Sequence, residues 1–196
     1  QGKVDLRKDL DTELEDFLIV SNSPGVVFED KLILGMRLSE GLDAAPGHIR
    51  AYNVKTGKRE WIFHTIPHPG EFGNDTWQEE YRELIGGANN WAGMSLDEER
   101  GIVYVPTGSA TYDFWGGFRH GQNLFANSLI ALDANTGQRI WHFQAVHHDI
   151  WDRDFPANPN LIRIKKDGNW IDAIAQTSKQ GYIYAFDRVT GEPIWP

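Results

Sequence analysis

Short runs of apolar and polar alternation succeed one another along this chain, and three of them close on the same eleven-residue pattern. The stretch from Pro24 to Gly35 predicts two short apolar strands around Glu29-Asp30-Lys31. The stretch from Gly47 to Asn53 predicts a third and the approach to Trp61 a fourth. The pattern itself runs from Ala51 to Trp61, from Ala131 to Trp141 and from Ala185 to Trp195. In each copy a β-rich run meets Asn or Asp, then two variable residues, Thr-Gly, and a Trp four positions beyond the Gly. That order predicts a strand, a tight turn and a strand. The Gly permits positive φ, the Asn or Asp hydrogen-bonds the turn backbone, and the Trp is a large flat anchor for packing.

Around the second copy the plan repeats: a strand from Trp91 to Leu96, a turn at Asp97 to Gly101, a strand at Ile102 to Val105, and the motif from Ser128 onward. The third unit has strands at Leu161 to Ile164, Ile171 to Ala175 and Tyr182 to Asp187, continuing to Trp195. Three similar four-stranded units predict an all-β fold, a β-propeller of antiparallel blades at about 21–64, 89–146 and 155–196. Residues 1–20 form a charged lead-in, with Asp11 to Asp16 as a solvated loop or blade edge. Residues 65–88 and 111–127 are insertions. In the first insertion, Thr76-Trp-Gln-Glu79 predicts a capping box opening a short helix toward Leu84. Three blades do not close a ring, so the outer two expose apolar faces. These call for the rest of a longer polypeptide or for an oligomer partner.

Composition narrows the function classes. A formal net charge of −9 argues against nucleic-acid and anionic-membrane partners. No apolar run reaches the length of a membrane span, and the amino-terminal residues lack the apolar stretch of a signal peptide. The absence of Cys excludes disulfides and thiolate metal sites within this sequence. The lack of an initiator Met and the end one residue past a motif Trp point to a piece of a longer protein.

The segments that follow the second strand of each unit are polar: Gly35 to Glu40, Thr107 to Thr111 and Thr177 to Gln180. Equivalent positions in successive blades surround one axis, so Glu40, Ser109 or Thr111, and Lys179 are candidates to converge. The same segments also read as ordinary solvated turns. The run His147-His-Asp-Ile-Trp-Asp-Arg-Asp154 reads poorly as strand or helix. Glu40 with an Asp of this run offers hard oxygen ligands for Ca²⁺ or Mg²⁺. A Zn²⁺ site on His147 and His148 is disfavoured, because adjacent residues of a strand point to opposite sides. His64, His68 and His120 read as separate surface or loop hydrogen-bonders. Trp91, preceded by Gly86 to Asn90, is either a core residue or an aromatic plane for a flat ligand.

These residues resemble the pyrroloquinoline quinone (PQQ)-dependent dehydrogenases, and within them the branch of membrane-bound quinoprotein glucose dehydrogenase. The Trp motifs, the run from Trp91 to Gly108 and the run from Val146 to Ala157 carry the resemblance, which covers nearly the whole chain from about Pro24. It implies three blades of an eight-bladed propeller, PQQ with Ca²⁺ or Mg²⁺, a sugar or alcohol substrate, a ubiquinone or cytochrome c acceptor, and a periplasmic location. By matching position it implies Asp152 as catalytic base, Glu40 and Asp152 as metal ligands, and Trp91 as the floor under the quinone. Lys179 then hydrogen-bonds the reactive quinone oxygens and Asn89 is a cofactor contact. Ser109 stands where alcohol-oxidising members place a metal-ligating Asn. A non-catalytic propeller that binds protein partners, similar to outer-membrane assembly lipoproteins, is the alternative.

Overall fold

The computed structural model describes residues 3–8, 10, 18–41 and 44–196; the acidic run at 11–16 lies outside the described residues. Among the described residues the chain is all-β apart from two short 3₁₀ turns. A small two-stranded sheet pairs β1 (Ile19–Val20) with β4 (Arg37–Leu38). The first blade is an antiparallel meander of β2 (Val26–Phe28), β3 (Lys31–Leu34), β5 (Ile49–Asn53) and β6 (Arg59–Phe63). The second has β7 (Ser95–Asp97), β8 (Ile102–Pro106), β9 (Ser128–Asp133) and β10 (Arg139–Gln144). The third has β11 (Asn160–Lys166), β12 (Asn169–Thr177) and β13 (Ile183–Asp187). Its fourth strand is reduced to a single bridge between Phe186 and Pro193, because Pro193 has no N–H to continue a ladder.

Period-two alternation on the second blade explains how the sheets stack. Val103, Val105, Ile130 and Leu132 point into one core with Ile33, Ile49 and Trp61 of the first blade. Their neighbours Ile102, Tyr104, Leu129 and Ala131 point the other way, against Phe155, Ile174 and Phe186. Covered on both faces, β8 is buried along its whole length. The third blade has no such cover on its far side, where Tyr182, Ile183 and Trp195 are exposed.

The repeated motif is the device that joins blades. Oδ1 of Asn53, Asp133 and Asp187 each accepts two backbone N–H groups of its turn, at 2.8–3.0 Å. Trp61 and Trp141 then dock on the turn of the next blade. Trp61 Nε1 donates to the Ala134 carbonyl at 3.1 Å, and Trp141 Nε1 donates to the Arg188 carbonyl at 3.1 Å. Ala134 and Arg188 occupy the same place in their motifs. Gly137 (φ +72°) lies under Trp61, where a Cβ would stand 2.5 Å from the indole. Gly137→Ala combines left-handed strain with that clash, so it is expected to destabilise by about 1–3 kcal/mol, read as a lower denaturant midpoint of the full-length protein.

The first insertion differs from the sequence reading. There is no capped helix from Thr76 to Leu84, only 3₁₀ turns at Asn74–Thr76 and Arg82–Leu84. The Thr76 hydroxyl donates to the Gly73 carbonyl and accepts from Leu124 N–H instead of capping. Trp77 is drawn into a small core with Ile66, Ile85 and Ala110. The strand expected from Trp91 is also shorter: only 95–97 pair, which frees Trp91 from the sheet.

Candidate functional site

The loops leaving β3, β8 and β12 reach the same end of the stacked sheets, where they meet the loops that lead into β7 and β11. Their side chains line an open cleft of about 630 Å³. Glu40, Asn89, Trp91, Ser109, Thr111, Asp152 and Lys179, all candidates of the sequence, line it, together with Asp113 and Asp154.

Lys179 is the centre of its charge pattern. Its Nζ donates to both carboxylate oxygens of Asp152 at 2.7 Å and to Asp154 Oδ2 at 2.9 Å. The same ammonium lies 5.7 Å from the centroid of the Trp91 ring, a cation at the border of an aromatic face. Asp154, buried, ties the walls together by accepting from Trp91 Nε1 at 3.0 Å and from Ser109 N–H at 2.6 Å. Asn89 is fixed by its side-chain amide, which donates to the Met36 carbonyl at 2.8 Å.

The loop carrying Asp152 is held by a second, hidden carboxylate. Asp149 is buried and accepts from Trp151 N–H, Arg153 N–H, the Ser109 hydroxyl at 2.6 Å and Asn127 Nδ2 at 3.0 Å. Between those anchors Asp152 sits at φ +54°, a left-handed conformation that Asp tolerates better than most residues. His147 and His148 lie in bends and not in a strand, so the pleat argument does not govern them.

Electrostatics set the chemistry available. Desolvation raises the Asp152 carboxyl above its usual range; Lys179 opposes this and Asp154 reinforces it. Burial pulls Lys179 down, but its bonds to the two carboxylates prevail and its pKa is raised. Asp113 is pushed up to about 7, first by burial and then by the negative charge of Asp152, Asp154 and Glu40. Four carboxylates thus face two cationic side chains, Lys179 and Arg37. That excess of negative charge and hard oxygen suits a divalent cation, and an indole face bordered by an ammonium suits a flat anionic ring.

Asp113, Asp149 and Asp154 were not singled out as site residues from sequence. Asp149 and Asp154 belong to the acidic run already noted, and their spacing from Asp152 was the available signal. Asp113 sits in the aromatic insertion with no pattern around it. Ser109 reaches the cleft through its N–H, whereas its hydroxyl is committed to Asp149 and Asn127.

The family described as the β-propeller domain of PQQ glucose/ethanol/alcohol dehydrogenases matches residues 1–196. The chain belongs to this family of PQQ-dependent dehydrogenases. It is 37% identical over 179 residues to quinoprotein glucose dehydrogenase A of Acinetobacter calcoaceticus, covering 89% of this chain and 22% of that protein. It is 36% identical over 174 residues to the quinate/shikimate dehydrogenase (quinone) of Acinetobacter baylyi, covering 83% and 20%. Among solved structures, the quinohemoprotein alcohol dehydrogenase ADHIIG of Pseudomonas putida superposes with a TM-score of 0.79 at 30% identity, covering 87% of this chain and 26% of that one. The chain therefore spans about a fifth to a quarter of the length of these relatives. Among the described residues no helix is long and apolar enough to cross a membrane.

Proposed function

We propose that this segment supplies the catalytic base, the quinone floor and part of the metal shell of a PQQ-dependent dehydrogenase. That enzyme oxidises a sugar such as glucose, or another alcohol, in the periplasm and passes electrons to ubiquinone or a cytochrome c. The observation that carries the reading is the meeting of Glu40, Trp91, Asp152 and Lys179 in one cleft although 139 positions separate the first from the last. A scaffold that only binds protein partners has no need of that meeting.

Trp91 would offer its ring face to PQQ, Lys179 would give up one of its three carboxylate hydrogen bonds to donate to a quinone oxygen, and Asn89 would add a polar contact beside the floor. Glu40 and Asp152 contribute oxygen ligands to Ca²⁺ or Mg²⁺; the Ser109 hydroxyl, already bonded on both sides, contributes none, and its N–H holds Asp154 in place. When bound, the quinone supplies the two-electron acceptor for the hydride leaving the alcohol carbon, with the cation as Lewis acid. Asp152 accepts the hydroxyl proton, and its raised pKa makes it a stronger base than an exposed carboxylate. Hydrogen bonding from Lys179 orients that carboxylate and opposes the upward pull of burial on its pKa.

Lys179→Met removes the group that lowers the Asp152 pKa and leaves Asp152 and Asp154 to repel each other. The acid limb of the pH–rate profile is therefore expected to move to higher pH by about one unit or more, with a lower maximal rate. The proposal as a whole is tested by reconstituting the cofactor-free full-length protein with PQQ and Ca²⁺ or Mg²⁺ and following dye reduction with glucose, quinate and ethanol. Metal-dependent turnover on one of them is expected; no turnover on any alcohol or sugar overturns it.

A further inference from the structure

Away from the cleft, three imidazoles meet where the first blade passes into its insertion. His48 directly precedes β5 and His64 directly follows β6. Ile49 pairs with Phe63 across the two strands, so the hairpin itself sets His48 beside His64. The loop through Pro67 then folds His68 onto the His64 ring. The ring centroids are 4.6 Å apart for His48 and His64, and 5.8 Å for His48 and His68. His64 and His68 stack at 3.7 Å with planes 13° apart. One ligand nitrogen from each can be chosen so that all lie within 4.8 Å of one another. Sequence reading treated His64 and His68 as separate hydrogen-bonders, because nothing in their spacing announces that His48 joins them.

Two further observations point to a ligand. His48 is only 1% exposed, yet among the described residues neither of its ring nitrogens has a hydrogen-bond partner. Buried polar atoms without partners are uncommon in native proteins. The second is Glu71, whose Oε1 bonds His64 Nδ1 at 2.8 Å while its Oε2 accepts His68 N–H at 2.7 Å. A carboxylate on one ring nitrogen fixes the proton there and leaves the other lone pair for a metal, the arrangement typical of metal-bound histidine. Arg50 and Arg82 bring positive charge to the corner and Glu71 and Glu79 offset it. Binding must therefore come from coordination rather than net charge, which favours a borderline transition ion over Ca²⁺ or Mg²⁺.

We propose that His48, His64 and His68, with water in the fourth position and oriented by Glu71, form a Zn²⁺ site that fastens the insertion to the first blade. Zn²⁺ holds imidazole nitrogens at about 2.0–2.1 Å, which sets them roughly 3.4 Å apart in a tetrahedral shell. Binding therefore draws together ligand nitrogens that already lie within 4.8 Å of one another. The site stands apart from the PQQ cleft and does not depend on it.

The test is calorimetric titration of the full-length, metal-stripped protein with Zn²⁺ in excess Ca²⁺, with Co²⁺ absorption reporting nitrogen coordination. One equivalent is expected to bind and to raise the melting temperature. His68→Ala and His64→Gln are expected to weaken binding by about 100-fold or more, and Glu71→Gln by about 10-fold, while Asp152→Asn leaves it unchanged. Should His64→Gln fail to fold, His68→Ala, at a half-buried loop position, decides. Absence of saturable uptake by the folded wild type, or equal uptake by the histidine variants, overturns the proposal.

Discussion

Asp152→Asn in the full-length protein is expected to cut substrate-driven dye reduction by about 10²–10⁴-fold while leaving the melting temperature close to that of the wild type. Asn keeps the volume of the side chain but cannot take the hydroxyl proton. It also keeps one oxygen to accept from Lys179, which now donates twice to Asp152 and once to Asp154. The loop retains its shape because Asp149, not Asp152, accepts the Trp151 and Arg153 N–H groups that define it. Steady-state kinetics beside a thermal melt separates the two effects. Near-normal turnover with an intact fold removes Asp152 from the role of base.

The largest loss of stability is expected from Trp141→Ala, about 3–5 kcal/mol. Trp141 is 7% exposed and packs between the second and third blades, with ring centroids 5.9 Å from both Tyr104 and Phe186. Truncation opens a cavity at that seam and removes one of the two hydrogen bonds to the Arg188 carbonyl, leaving the one from the Tyr104 hydroxyl. Equilibrium denaturation of the full-length wild type and Trp141→Ala checks this; an unchanged midpoint contradicts the docking role.

The blades were legible because their cause is local. Alternation places Val103 and Val105 on one face and Ile102 and Tyr104 on the other, and the Asx, Thr and Gly of each turn act within a few residues. The insertions were not legible in the same way. Thr76 to Glu79 satisfies a capping-box pattern, yet burial of Trp77 against Ile66 and Ala110 prevails over local propensity. In the cleft, the blade repeat itself marked Glu40, Ser109 and Lys179, since equivalent strand ends of a propeller share one axis. Asp113 and Asp154 escaped because their importance lies in the charge they add to Asp152 across loops distant in sequence. The His48 cluster escaped for the same reason, since only β-pairing reveals that residues 48 and 64 are neighbours.

The central claim is that these loops form a PQQ site, and the direct measurement is an absorbance titration of cofactor-free full-length protein with PQQ, with and without Ca²⁺. The account predicts uptake of one equivalent that requires the cation and is weakened by both Trp91→Ala and Glu40→Gln. A folded protein that takes up no PQQ, or binds it equally well without the cation and in both variants, contradicts it.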